Sequence, residues 1–185
     1  MLINVDIGAG STIQILNNFL CTDIYNFNIL DEKIIKRFLG KYKIKYVLAE
    51  HVFEHLTKDE MINAFEILNN YMSIGSRIRV AVPDGFNPSR EYINNVKIKG
   101  IGPGALDHKQ LLDYKKVIEI FNDLPNFKIY FIEFFDENKS FNSNNYIDIG
   151  KKITRSSESK FQNKSFSFSH LSLIFDVIKV KEDKK

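Results

Sequence analysis

Two hydrophobic periods alternate along this chain, and the switches between them lay out its elements. Apolar and β-branched runs at Ile3–Ile7, Ile44–Ala49, Arg77–Val82, Lys128–Phe135 and His170–Val180 read as strands, with a shorter one at Phe19–Asp23. Between them the spacing turns helical. Ile34, Ile35, Phe38 and Leu39 mark a helix over Asp31–Lys41 that Gly40 stops. Thr57 and Glu60 stand at capping-box spacing, and Met61, Phe65, Leu68 and Met72 form one apolar face behind them, ending near Ser73-Ile74-Gly75. Leu112, Val117, Ile120 and Phe121 predict a third helix over Lys109–Asn122, and Thr12–Asn18 is long enough for a short one. Strands alternating with helices imply a mainly parallel sheet covered on both faces.

Two stretches break the pattern. Asp84–His108 holds four of the nine glycines and two of the four prolines, and Asp136–Ser169 is polar and rich in Asn and Ser. Loops of that length inside a compact domain are commonly functional, so both are expected to frame a site. No repeat or linker divides the 185 residues, so a single domain over 1–185 with these two insertions is expected.

Composition narrows the classes. Hydrophobic residues make up 44% of the chain without a run of membrane-spanning length, and the net charge of +3 is too small to argue for nucleic acid. Met1-Leu2-Ile3 leads directly into a strand without a cationic leader, and Cys21 is the only cysteine. A cytoplasmic protein with no membrane or nucleic-acid partner is the expectation.

In open α/β sheets ligands sit beyond the carboxyl ends of the strands, so the residues just past each strand nominate the site. Strand one runs through Asp6 into Gly8-Ala9-Gly10, a Gly-x-Gly turn over which a ligand can approach the backbone. The third glycine of the dinucleotide fingerprint is missing, which favours a nucleoside over a pyrophosphate. Asp23 ends strand two, placed either to hold both ribose hydroxyls or to begin a surface turn. Glu50 and His51 come after the next strand, and Pro83-Asp84-Gly85 after the one beyond it.

In that order the chain resembles class I S-adenosylmethionine-dependent methyltransferases, and within them a short bacterial predicted-methyltransferase branch. The likeness rests on Val5–Gly10, Ala49–Leu56, Arg77–Asp84, Gly104–Lys109, Glu133–Asp136 and Arg155-Ser156. It implies a Rossmann-like sheet with an antiparallel C-terminal strand and a shortened N-terminal half. It also implies S-adenosylmethionine as cofactor, with Gly8 and Gly10 under its methionine part and Asp6 and Ala9 in the same turn. Asp23 would hold the ribose, Asp31 or a nearby backbone amide would lie by the adenine, and Glu50 and His51 would sit near the sulfonium and the substrate. The segment between Gly10 and Asp23 is too short for the usual crossover helix, and no usual third strand is evident between Asp23 and Ile44.

The implied activity is methyl transfer to a polar small molecule. A hydroxyl acceptor needs a general base, and the candidates in order are His51, His108 and Asp84. Glu133, Arg155 and Tyr114 are the substrate-side candidates; Tyr114 reads first as a packed helix residue and Arg155 first as a solvated one, and Glu133 is either a substrate rim or a plain strand terminus. Cationic loop residues favour an anionic acceptor, such as a sugar, nucleotide-sugar or phosphorylated metabolite, which would make this a carbohydrate-modifying O-methyltransferase. Two other classes compete. One is a non-catalytic binding module on the same fold. The other is a zinc hydrolase, because His51-Val52-Phe53-Glu54-His55 matches His-x-x-Glu-His, whose histidines share a face on a helix. Against zinc, the motif begins directly after a strand and only Glu119 or Glu133 offers a third ligand, so no metal is expected.

Overall fold

A computed structural model describes residues 1–9, 14–145, 147–157 and 170–181. Its strands are β1 (Leu2–Ile7), β2 (Gln14–Leu16), β3 (Phe19–Thr22), β4 (Lys43–Glu50), β5 (Met72–Pro83), β6 (Phe127–Phe135), β7 (Phe141–Ser143) and β8 (Ser172–Lys179). They form one sheet in the order β2-β3-β1-β4-β5-β8-β6-β7. The pairs β3–β1, β1–β4 and β4–β5 are parallel, while β8 lies antiparallel between β5 and β6. The helices are α1 (Glu32–Leu39), α2 (Lys58–Tyr71), α3 (Arg90–Val96) and α4 (Tyr114–Phe121).

Local chemistry explains most of these bounds. Asp31 caps α1 by accepting from the Lys33 and Ile34 amides, and Thr57 with Glu60 completes the capping box at the start of α2. Of the expected helix over Thr12–Asn18, Thr12 and Ile13 lie outside the described residues, and the rest is the β2–β3 hairpin, in which Asn17 and Asn18 take φ of 51° and 64°. Two consecutive left-handed residues make the tight turn that matches strand twist, and Asn tolerates that conformation. The expected helix over Lys109–Asn122 begins only at Tyr114. Its first residues are held elsewhere: the Lys109 and Gln110 amides donate to the Glu54 carbonyl, Leu112 bridges Asp84, and Asp113 caps the helix. The Asp84–His108 stretch contains α3, capped by Ser89, and a short 3-10 turn at Ala105–Asp107.

Among the described residues the two faces of the sheet are covered differently. Buried residues of α1, α2 and α4 all belong to one cluster, with Val47, Ala49, Val80, Phe175 and Val177 on the same side of the sheet. The opposite side, with Phe19, Leu48, Ala81, Ile132 and Ile174, is covered by Ile149 and Ile153 of an irregular segment. With no room for a crossover helix between β1 and β3, part of the second polar stretch takes its place.

That segment is held by charge. Arg79, fully buried, pairs with Asp176 at 2.9 Å and donates to the Ile147 carbonyl at 2.7 Å. Farther along, Lys151 pairs with Asp6, the Thr154 and Arg155 amides donate to Glu50, and Ser157 donates through its amide and hydroxyl to Glu133. Among the described residues no helix is long and apolar enough to cross a membrane.

Candidate functional site

The carboxyl ends of β1, β3 and β4 enclose an apolar cavity of about 230 Å³. Ile7 and Gly8 form one wall. Ile24 and the run Phe27–Leu30 form a second, and His51, Val52, His55 and Leu56 a third. Gly8 has φ +76°, and a Cβ built there would stand 2.9 Å from a Val52 methyl. Only glycine fits a left-handed position packed that closely.

His51 occupies the edge of this cavity in a left-handed conformation (φ 58°), its amide donating to the Ala81 carbonyl. Its Nδ1 lies 2.8 Å from Glu54 Oε1, and its Nε2 is buried with no hydrogen-bond partner among the described residues. Phe53–His55 is a single 3-10 turn, so His51 and His55 do not share a helix face as the zinc-protease pattern requires. His55 instead meets His108 edge to face at 4.9 Å between ring centroids. His108 is buried beside it, with Nδ1 2.7 Å from the Val96 carbonyl. The buried Tyr92 hydroxyl lies within electrostatic reach of Glu54, Asp84 and Arg155. Burial pushes its pKa up, opposed by the Arg155 charge and reinforced by Asp84 and Glu54.

Of the residues expected at the cofactor, Gly8 and His51 line the cavity and Ala9 continues the same turn, its amide bound to the Thr22 carbonyl. Gly10 lies outside the described residues. Asp23 closes β3 with Oδ1 accepting from the Tyr25 and Asn26 amides, which shapes the loop that supplies Phe27–Leu30. Asp31 is a helix cap. Asp6 and Glu50 face the other side of the sheet and anchor the irregular segment; burial raises the Asp6 carboxyl above its usual range, opposed by Lys151.

Among the substrate-side candidates, Glu133 holds Ser157, and Tyr114 packs against Phe86, Phe131 and Phe134 with its hydroxyl on Glu137. Arg155 exposes its side chain while its amide binds Glu50. Phe27–Leu30, Val52 and Leu56 line the cavity without having been expected there. The Phe27–Leu30 part follows a strand-end acid in a stretch where Asn26 and Asn28 interrupt the apolar residues without periodicity, which reads as plain loop.

Asp84, the third candidate base, is fully buried, with one oxygen accepting from the Phe86 amide and the other from Phe135. Both oxygens are thus occupied in tying the end of β5 to β6. Burial raises its pKa to about 6, against the pull of those two amides. A folded-state pKa raised above the unfolded one stabilises at low pH, and the increment is lost as pH rises through about 6. A rise from 3.8 to about 6 corresponds to about 3 kcal/mol. Urea unfolding at about pH 4 and about pH 7 should therefore show the native chain losing about 2 kcal/mol more than Asp84→Asn, since the unfolded carboxyl is already partly ionised at pH 4. Parallel profiles would assign the pH dependence to other groups.

No protein-family model matches the chain, and no curated protein matches its sequence. Solved structures match its shape. A SAM-dependent methyltransferase from Thermotoga maritima aligns over 97% of this chain and 82% of its own, with TM-score 0.50 and 12% identity. LepI in complex with SAM aligns at TM-score 0.50 and 10% identity, covering 97% of this chain but 43% of LepI. A SAM-dependent methyltransferase from Archaeoglobus fulgidus is 19% identical over 96% of this chain and 85% of its own, at TM-score 0.46. The strand order with its antiparallel β8, together with the likeness to the Thermotoga maritima enzyme, gives the chain the fold of class I S-adenosylmethionine-dependent methyltransferases.

Proposed function

We propose that this protein binds S-adenosylmethionine at the carboxyl ends of β1, β3 and β4 and transfers its methyl group to a polar small molecule. The observation that carries this reading is the apolar cavity bounded by the left-handed Gly8, the loop after Asp23 and His51. Its volume of about 230 Å³ lies below the range of about 300–1,000 Å³ for whole-ligand sites, and so suits the nucleoside part of the cofactor. Phe27, Ile29 and Leu30 offer apolar surface for the adenine faces, and Asp23, which opens the loop that carries them, would hold the ribose hydroxyls. When bound, the cofactor supplies an electrophilic methyl whose bond to sulfur breaks as the bond to the acceptor forms, leaving S-adenosylhomocysteine.

The protein's part is alignment and proton removal. Glu54 orients the His51 ring through Nδ1, which leaves the buried Nε2, without a partner among the described residues, to take the acceptor's proton. The finer proposal is O-methylation of an anionic acceptor, a sugar, nucleotide-sugar or phosphorylated metabolite. It is supported by the exposed Arg155 within electrostatic reach of the Tyr92 hydroxyl.

Calorimetric titration with S-adenosylmethionine tests the reading. Native protein should bind in the micromolar range or tighter. Asp23→Ala should bind about tenfold more weakly, a loss of about 1.4 kcal/mol from the missing hydrogen bonds. No heat with the native chain would defeat the reading, while equal affinities would remove only the ribose role. The same titration on cofactor-saturated protein, with phosphorylated and neutral sugars, decides the acceptor: no preference for the phosphorylated one removes the anionic class. Cofactor binding without transfer to any acceptor would leave the non-catalytic binding module.

A further inference from the structure

Glu54, His55 and His108 each present one donor atom, and the three donors lie within 4.8 Å of one another. We infer that these residues form a site for one divalent transition-metal ion of the zinc class, beside the cavity that His55 also lines. This goes beyond the methyl-transfer reading and stands independently of it. It also reverses the expectation of no metal, with a ligand set different from the His51/His55 pair of the sequence pattern.

Three observations carry it. The first is the state of Glu54. Its side chain is 1% exposed, one oxygen is taken by His51, and the other is buried with no hydrogen-bond partner among the described residues. A buried carboxylate oxygen without a partner is costly, and a bound cation supplies the missing one. The second is the orientation of His108. Its Nδ1 sits at hydrogen-bond distance from the Val96 carbonyl, which can only accept, so Nδ1 carries the proton and the Nε2 lone pair is left as the donor atom His108 can offer an ion. A backbone carbonyl on the far nitrogen is the usual partner of a metal-bound imidazole.

The third is how the ligands are positioned. The Lys109 and Gln110 amides both donate to the Glu54 carbonyl, at 2.9 and 3.3 Å, and this clamps the residue after His108 onto the turn that carries Glu54 and His55. Donors around a tetrahedral ion at about 2.1 Å stand about 3.4 Å apart, so the ion draws them together by about an ångström. The partly exposed His55 ring has room to make that movement. Two imidazoles and one carboxylate match a borderline-soft ion better than magnesium or calcium. Three protein donors leave a fourth position open, which an oxygen ligand from the neighbouring cavity can occupy.

The test uses chelator-stripped protein titrated with zinc by calorimetry and with cobalt by visible absorption, both without any cofactor. One equivalent should bind per chain, with a tetrahedral cobalt spectrum. His108→Ala and His55→Ala should each weaken binding at least about 100-fold, since two donors cannot hold the ion alone. His51→Ala, which removes only an outer hydrogen bond to Glu54, should cost no more than about tenfold. His170→Ala, outside the cluster, should bind as the native chain does. His55 is partly exposed, so its variant remains informative if a buried substitution fails to fold. Absent binding, or binding that survives both His55→Ala and His108→Ala, overturns the site; loss in His51→Ala equal to that in His108→Ala restores the His51-based ligand set instead. Because no cofactor is present, failure here leaves the methyl-transfer reading to its own titration.

Discussion

Replacing Asp176 by Ala is expected to cost about 3–5 kcal/mol of folding free energy, the range for breaking a buried ion pair from one side. In a chain of this length that is a fall of about 6–20 °C in Tm. Asp176 is 1% exposed at the centre of β8, and both its oxygens are engaged. Arg79 reaches it with Nε and Nη2 at 2.9 and 3.0 Å, and Arg77 with Nη1 at 2.6 Å. The two arginines differ in what they lose. Arg79 is fully buried between β8 and the segment over the second face, whereas the Arg77 side chain keeps 13% of its surface in solvent. Without the carboxylate, Arg79 is a desolvated cation, and its bond to the Ile147 carbonyl cannot neutralise it. Arg77→Ala should cost less than half as much, because Asp176 keeps its two-point contact with Arg79. Chemical unfolding of both variants measures this; a loss below about 1 kcal/mol for Asp176→Ala would mean that water already screens the pair.

The charged residues of the second face mark the limit of what can be read from the sequence. Strand and helix periods identify β1, β3, β4, β5, β6, β8, α1 and α2, because each is set by its own apolar spacing or cap. The Gly8 turn and His51 are legible as parts of a site because strand ends in such sheets are where ligands bind. The features that are not legible depend on contacts between distant segments. Asp6, Glu50 and Glu133 sit at strand ends, where a carboxylate reads as ligand-binding, yet their partners Lys151, Thr154, Arg155 and Ser157 lie more than twenty residues away in sequence. Nothing local announces that an irregular segment will stand in for a missing helix.

The same limit applies to His55 and His108. Local spacing pairs His55 with His51, four residues away, and offers His108 only as a candidate base at the end of a glycine-rich stretch. The approach of the Gly104–Gln110 stretch to the 3-10 turn brings His55 and His108 together through two backbone hydrogen bonds. The hairpin at Asn17-Asn18 is a different case. Its turn chemistry is present in the sequence, but the stretch is also long enough for a short helix, and the two asparagines carry the decisive signal.

Gly8→Ala is expected to lower the affinity for S-adenosylmethionine at least about 100-fold, or about 2.7 kcal/mol. Two separable effects contribute. The left-handed backbone at φ +76° strains any residue bearing a Cβ, by about 1–2 kcal/mol. The new methyl would also stand 2.9 Å from Val52 Cγ2, and relief of that contact must shift either the turn or the cavity wall. A double-mutant cycle with Val52→Ala distinguishes strain from occupancy. Val52→Ala removes the clashing methyl, so Gly8→Ala/Val52→Ala should recover part of the stability lost in Gly8→Ala. Cofactor affinity should not recover with it, because the added Cβ still stands where the ligand must approach bare backbone. If affinity and stability recover together, Gly8 serves only to accommodate Val52, and the cofactor lies elsewhere along the cavity. If affinity is unchanged in Gly8→Ala alone, the nucleoside does not occupy this cavity, and the fold is used for a different ligand.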